Sequence, residues 1–128
     1  MNIVLLESLG VTPQILQSYS RELESLGHTF TAYERTNDTA TLIKESADAD
    51  ILMIANMPLS GEVIRACKHL KYINIAFTGV DHVDLKAAEE MGVKVSNASG
   101  YSTVAVAELT LAMMLDLLRN VPQIDAAC

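Results

Sequence analysis

The chain has 128 residues, half of them apolar and a fifth charged, the composition of one globular domain. Its net charge of −7, with nine Lys and Arg scattered along it, excludes a phosphate-binding surface for nucleic acid. Two cysteines make no disulfide framework, and no N-terminal stretch has the order of a secretion signal, so a cytoplasmic protein is expected.

The first apolar run, "NIVLL" (2–6), predicts a strand. Thr12-Pro13 follows as an N-cap with proline at the first helical position, and the helix runs to about Leu26, where Gly27 stops it. "TFTAY" (29–33) predicts the second strand, and Asn37 or Asp38 caps a short helix through about Ala47. "ADILMIA" (49–55) is continuously apolar and predicts a central strand buried on both faces. Ser60 caps the helix "GEVIRACKHL", within which Cys67 is expected to be a small buried residue. "YINIAF" (72–77) is the fourth strand; Asp84 caps "LKAAEEM", Gly92 ends it, and "VKVSN" (93–97) is the fifth. Strands alternating with short helices predict an α/β, doubly wound parallel sheet of the flavodoxin-like or Rossmann-like kind.

After the turn-prone "NASGY" comes a different segment. Between Thr103 and Leu118 only Glu108, Thr110 and Asp116 are polar, so the helix is apolar nearly all round. A membrane span is excluded, because the run is short and broken by two acids. One sheet covers only one face of such a helix, which predicts a homodimer through helix 103–118. A carboxylate on this helix is expected to be paired with a donor on the hinge or on a partner, which singles out Glu108.

In open α/β sheets ligands bind at the carboxyl ends of the strands. Those ends carry Glu7 to Gly10, Asn56-Met57-Pro58, Phe77 to Val80 and Asn97 to Tyr101. Thr78-Gly79-Val80 is the most suggestive. A glycine there permits close backbone approach or unusual dihedrals, and two successive amides hold a carboxylate without a positive side chain. The same glycine also suits a plain tight turn into the Asp84 cap. The catalytic inventory is poor. His28 and His69 read as surface residues, and only His82 lies near the turn. Asp81 and Asp84 suit turn shaping and capping. No metal spacing, serine elbow or G-x-G-x-x-G occurs in the chain.

From Phe77 to Val121 the sequence resembles the end of the substrate domain in the NAD-dependent D-2-hydroxyacid dehydrogenases. The resemblance rests on Gly79, Asp81, His82, Asp84, Gly92, Val93, Val95, Asn97, Gly100, Ala107, Glu108 and Leu109 in the family's order and spacing. It implies that the amides of Gly79 and Val80 hold the carboxylate of a small 2-oxo or 2-hydroxy acid, with Thr78 and Asn56 beside it. It places the nicotinamide of NAD(H), with NADP left open, near Thr78 and Thr103. It implies a substrate-binding domain over 1–100, a hinge helix over 101–120 marked by Asn97, Gly100, Tyr101 and Glu108, and a tail over 121–128. The catalytic Arg, Glu and His would lie in a cofactor domain, none of them in this chain. An isolated chain is then expected to bind no cofactor and to turn nothing over. The family's Arg-Ser after the third strand is replaced by Asn56-Met57-Pro58, and its Arg and Gly before the Thr-Gly step by Ile75 and Phe77. Without that fixed positive charge, an acid with an uncharged tail is expected. A receiver-like phosphoacceptor on the same fold is disfavoured, since it would need an aspartate where Asn56 stands.

Overall fold

The computed structural model describes residues 1–127, which divide into two compact units, Met1–Ala98 and the segment from Ser99 onward. The first unit contains β1 (Asn2–Leu5), α1 (Pro13–Ser25), β2 (Thr29–Ala32), α2 (Thr39–Ser46), β3 (Ile51–Ile54), α3 (Gly61–Ala66), β4 (Tyr72–Ile75), α4 (Leu85–Glu90) and β5 (Lys94–Asn97). All five predicted strands form. They pair in parallel in the order β2-β1-β3-β4-β5, with Leu5 beside Met53 and Ile54 beside Ile75. The chain steps one way from β1 to β2 and the other way from β2 onward. Right-handed crossovers therefore put α1 on one face of the sheet and α2, α3 and α4 together on the other.

The core lies on the three-helix face. Leu52, Ile54, Ile73 and Ile75 point into it and meet Leu42, Val63, Ile64, Ala87 and Ala88. Each such aliphatic side chain contributes roughly 1.5–3 kcal/mol on full burial. The predicted two-sided burial of the central strand is only half realised, because Ile51 and Met53 of β3 are half-buried. In this unit α1 is the lone helix of its face, and none of its residues is buried.

The caps largely follow the sequence. Asp38, Ser60 and Asp84 accept from the backbone of Thr41, Val63 and Ala87 at the starts of α2, α3 and α4. Thr12 differs: it sits at the N-cap but makes no side-chain capping bond. Pro13, next in the chain, has already removed one orphan donor. Helix α3 stops at Ala66, short of the predicted Leu70, because Cys67 leaves helical geometry and a turn closes from Leu70 N to Cys67 O. His69 thus lies in a turn. Cys67 is buried as expected, its Sγ 3.1 Å from Val63 O and 3.2 Å from Ser46 Oγ. Burial pushes its thiol pKa up, against an opposing effect of the Ser46 hydroxyl.

The second unit contains α5 (Thr103–Arg119) and α6 (Val121–Ala127), separated by Asn120 in the left-handed conformation. Residues 121–127, expected as a tail, are helical; Cys128 lies outside the described residues. No residue of either helix is buried, and Val104, Leu117 and Leu118 are 70%, 80% and 78% exposed. No helix among the described residues is long and apolar enough to cross a membrane.

Candidate functional site

The turn after β4 is fastened on three sides. Ala76 N donates to Ile54 O of β3 at 2.8 Å, and Ala98 N bonds both Ile75 O and Phe77 O at 3.1 and 3.0 Å. Asn97 Nδ2, at the end of β5, donates to Thr78 O at 2.6 Å. Further on, Leu59 N donates to His82 O and Asp84 N to Leu59 O, forming a parallel bridge between Leu59 and Val83. Asp84 Oδ1 then accepts Ala87 N at 2.9 Å and starts α4.

Between these fastenings, the amides of Thr78, Gly79 and Val80 donate no hydrogen bond within the described residues. Thr78 is exposed and its hydroxyl is likewise unengaged among them; Gly79 and Val80 are half-buried. Unpaired, accessible amides at a strand end are an anion-binding arrangement. Gly79 does not adopt the left-handed conformation, which is confined among the glycines to Gly10, Gly27, Gly92 and Gly100. Of the two sequence expectations for it, space is the relevant one: a Cβ there would stand 3.0 Å from Asp81 Oδ1.

A second constellation occupies the ends of β1, β2 and β3, and sequence reading missed most of it. The Glu7 side chain, just past β1, is almost fully buried. Its Oε1 accepts Ala55 N at 2.7 Å and Met57 N at 2.8 Å. Its Oε2 accepts Arg35 Nη1 at 3.1 Å, and the same nitrogen donates to Asn56 Oδ1 at 2.7 Å. A buried carboxylate is stable only when satisfied, and three donors satisfy this one. Glu7 therefore shapes the loop that carries Asn56. Arg35, from beyond β2, places a positive charge over the β3 end where the sequence showed none. An acid directly after an apolar strand is a legible signal for Glu7. Nothing local marks Arg35.

The remaining candidates are dispersed. Gly100 (φ 93), Tyr101, Thr103 and Glu108 belong to the second unit. Glu108 is exposed in the single chain and makes no ion pair among its described residues. His82 packs edge-on against Phe77, ring centroids 6.5 Å apart, with its Nε2 shielded and unpartnered. His28 lies 3.3 Å from the N-terminal amine, and His69 is exposed. A groove of about 450 Å³ between α1 and β2, lined by Pro13, Gln14, Leu16, Gln17, Ser20, Phe30 and Ala32, offers no acid or base, and its one hydroxyl, that of Ser20, donates to Glu24 Oε1. Toward a dinucleotide, the chain offers the free amide and hydroxyl of Thr78 but no glycine-rich phosphate turn.

Residues 3–124 match the family model described as the catalytic domain of D-isomer specific 2-hydroxyacid dehydrogenases. A D-3-phosphoglycerate dehydrogenase of Methanocaldococcus jannaschii is 36% identical over 91% of the chain, and a hydroxypyruvate reductase of Blautia hydrogenotrophica 31% identical over 94%. The chain spans only 22% and 37% of the lengths of these relatives. The NAD-dependent formate dehydrogenase of Staphylococcus aureus, solved in complex with NAD, superposes with a TM-score of 0.77 at 32% identity, covering 96% of this chain and 40% of that one.

Proposed function

Since the chain belongs to the D-isomer specific 2-hydroxyacid dehydrogenase family, we propose that residues 1–100 are the substrate-binding part of an oxidoreductase that interconverts a small 2-hydroxy acid and its 2-oxo acid. The observation that carries this reading is the free-amide turn at Thr78-Gly79-Val80, held open between β4 and Asn97. The Gly79 and Val80 N–H groups hold the substrate carboxylate. Neutral donors at fixed positions bind that anion without the reorganisation water would need. Asn56, fixed by Arg35 and the Glu7-shaped loop, faces the rest of the acid. Thr78 borders the nicotinamide of NAD(H).

Bound there, the reduced nicotinamide would supply the hydride that C2 of the oxo acid accepts. The chain's own part is to orient that carbon by its carboxylate. The acid–base histidine with its glutamate, and the arginine that holds the carbonyl, lie in a cofactor domain reached through the 101–120 hinge. The chain alone binds no cofactor and does not turn over. It acts in the cytoplasm and as a homodimer through helix 103–118, whose apolar side chains are exposed.

Incubating the pure chain with NADH and pyruvate, glyoxylate or hydroxypyruvate tests the division of labour. Sustained NADH oxidation would show that the catalytic groups lie inside residues 1–128. Backbone amide shifts at Gly79 and Val80 on adding the acids alone test the turn.

A further inference from the structure

Arg35 leaves much of its guanidinium unused by Glu7. Arginine–carboxylate pairs are frequently bidentate, with two parallel N–H···O bonds. Here Oε1 is committed to the amides of Ala55 and Met57, and Oε2 meets Nη1 alone. The other Nη1 proton goes to Asn56 Oδ1 at 2.7 Å. Nη2 and Nε make no hydrogen bond among the described residues, and the side chain is 46% exposed. Three N–H donors in fixed planar geometry are therefore left for something else. The strand order puts this group over β3, and β3 lies directly beside β4, whose end carries the free-amide turn. Neighbouring strands run about 5 Å apart.

Resting on the assignment of that turn to the substrate's 2-oxo carboxylate, we propose that Arg35 receives a second carboxylate at the far end of the substrate, so that the acid is a short 2-oxo or 2-hydroxy diacid. A four- or five-carbon diacid spans about one strand spacing between its two carboxylates. The charge balance favours carboxylate over phosphate. Arg35 already shares its charge with Glu7, and a phosphate dianion would call for further cations that these strand ends lack. The uncharged tail expected from the sequence rested on the absence of an arginine next to Asn56. The fold supplies one from 21 residues away in sequence.

The test titrates the isotope-labelled chain with 2-oxoglutarate, with 2-oxohexanoate as a neutral-tailed acid of similar length, and with 3-phosphohydroxypyruvate as a phosphate-tailed one. The expected result is that 2-oxoglutarate shifts the Gly79 and Val80 amides and the Arg35 Nε signal together, and binds about tenfold more tightly than 2-oxohexanoate. Arg35→Gln should erase that preference. Asn56→Ala, which frees the guanidinium while leaving the Glu7 pair intact, should reduce it about threefold and covers the case in which Arg35→Gln does not fold. Equal binding of the two acids, with Gly79 and Val80 still shifting, overturns the role of Arg35 and leaves the turn in place. Tighter binding of the phosphate-tailed acid overturns the diacid. No shift at Gly79 and Val80 with any acid removes the turn assignment, and this proposal with it.

Discussion

Asn97 donates its side-chain amide to the carbonyl of Thr78 at 2.6 Å, so the last residue of β5 sets the position of the turn after β4. Both residues are exposed, and the bond contributes about 1 kcal/mol or less to folding. Asn97→Ala should therefore change the melting temperature little but loosen the turn. The expected outcome is faster hydrogen exchange at Gly79 and Val80 and several-fold weaker binding of a 2-oxo acid, read by amide exchange and titration on one sample.

Gly79 and Gly92 should respond to alanine in different ways. Gly92 is left-handed (φ 70), so Gly92→Ala should cost about 1–2 kcal/mol in urea unfolding. Gly79 has no such conformation, and its new methyl would meet only the movable carboxylate of exposed Asp81 at 3.0 Å. Gly79→Ala should leave stability within about 1 kcal/mol of the parent. It should still crowd the amides and abolish detectable acid binding.

Glu7 is the most vulnerable polar side chain in the first unit. Glu7→Ala would strip the buried Ala55 and Met57 amides of their acceptor, and an orphaned buried donor costs roughly 1–3 kcal/mol. The half-exposed Arg35 adds little, since water reaches it. A loss of about 2–4 kcal/mol is expected from denaturant unfolding. Glu7→Gln, which keeps a carbonyl acceptor, should lose about half as much.

Acid should destabilise the fold in part through Asp50. Its pKa is lowered, first by the bond from Lys71 Nζ at 2.6 Å and then by the Asn2 amide at 2.8 Å. A carboxyl with a depressed folded pKa contributes stability that is present above its ordinary value of 3.8 and lost as pH falls through the lower folded value. Melting temperatures measured between about pH 2 and 6 should fall across that window. In Asp50→Asn the acid limb should be shallower, with the parent's advantage confined to the higher pH values.

The exposed apolar residues of α5 should drive association. Light scattering over a range of concentrations should give twice the monomer mass at the upper end. Leu117→Glu, at a residue 80% exposed, should return the monomer without a change in melting temperature at low concentration. A mass that stays monomeric at every concentration would remove the homodimer.

Much of this was legible in the sequence because it is local. Asp38, Ser60 and Asp84 cap their helices from within three residues of the amides they accept. The period of the apolar runs placed all five strands. What stayed hidden depends on strand order. Arg35 and Asn56 become neighbours only when β1 is inserted between β2 and β3, and no propensity encodes that adjacency. The early end of α3 is of the same kind, set by where the chain must enter β4. What covers the apolar faces of α5 is likewise a tertiary property that periodicity only suggests.

The Glu7 carboxylate also stands where a doubly wound sheet ordinarily opens. Between β1 and β3 the winding reverses, and the helices diverge to opposite faces, leaving a natural cleft for a guest. By accepting the Ala55 and Met57 amides just past β3, Glu7 behaves as a built-in tenant of that cleft. Along the sheet at the turn after β4, the amides of Thr78, Gly79 and Val80 have no internal acid among the described residues to satisfy them. Exchanging Glu7 for a small neutral residue, with free carboxylate added in solution, would ask whether the old berth still accepts a visitor.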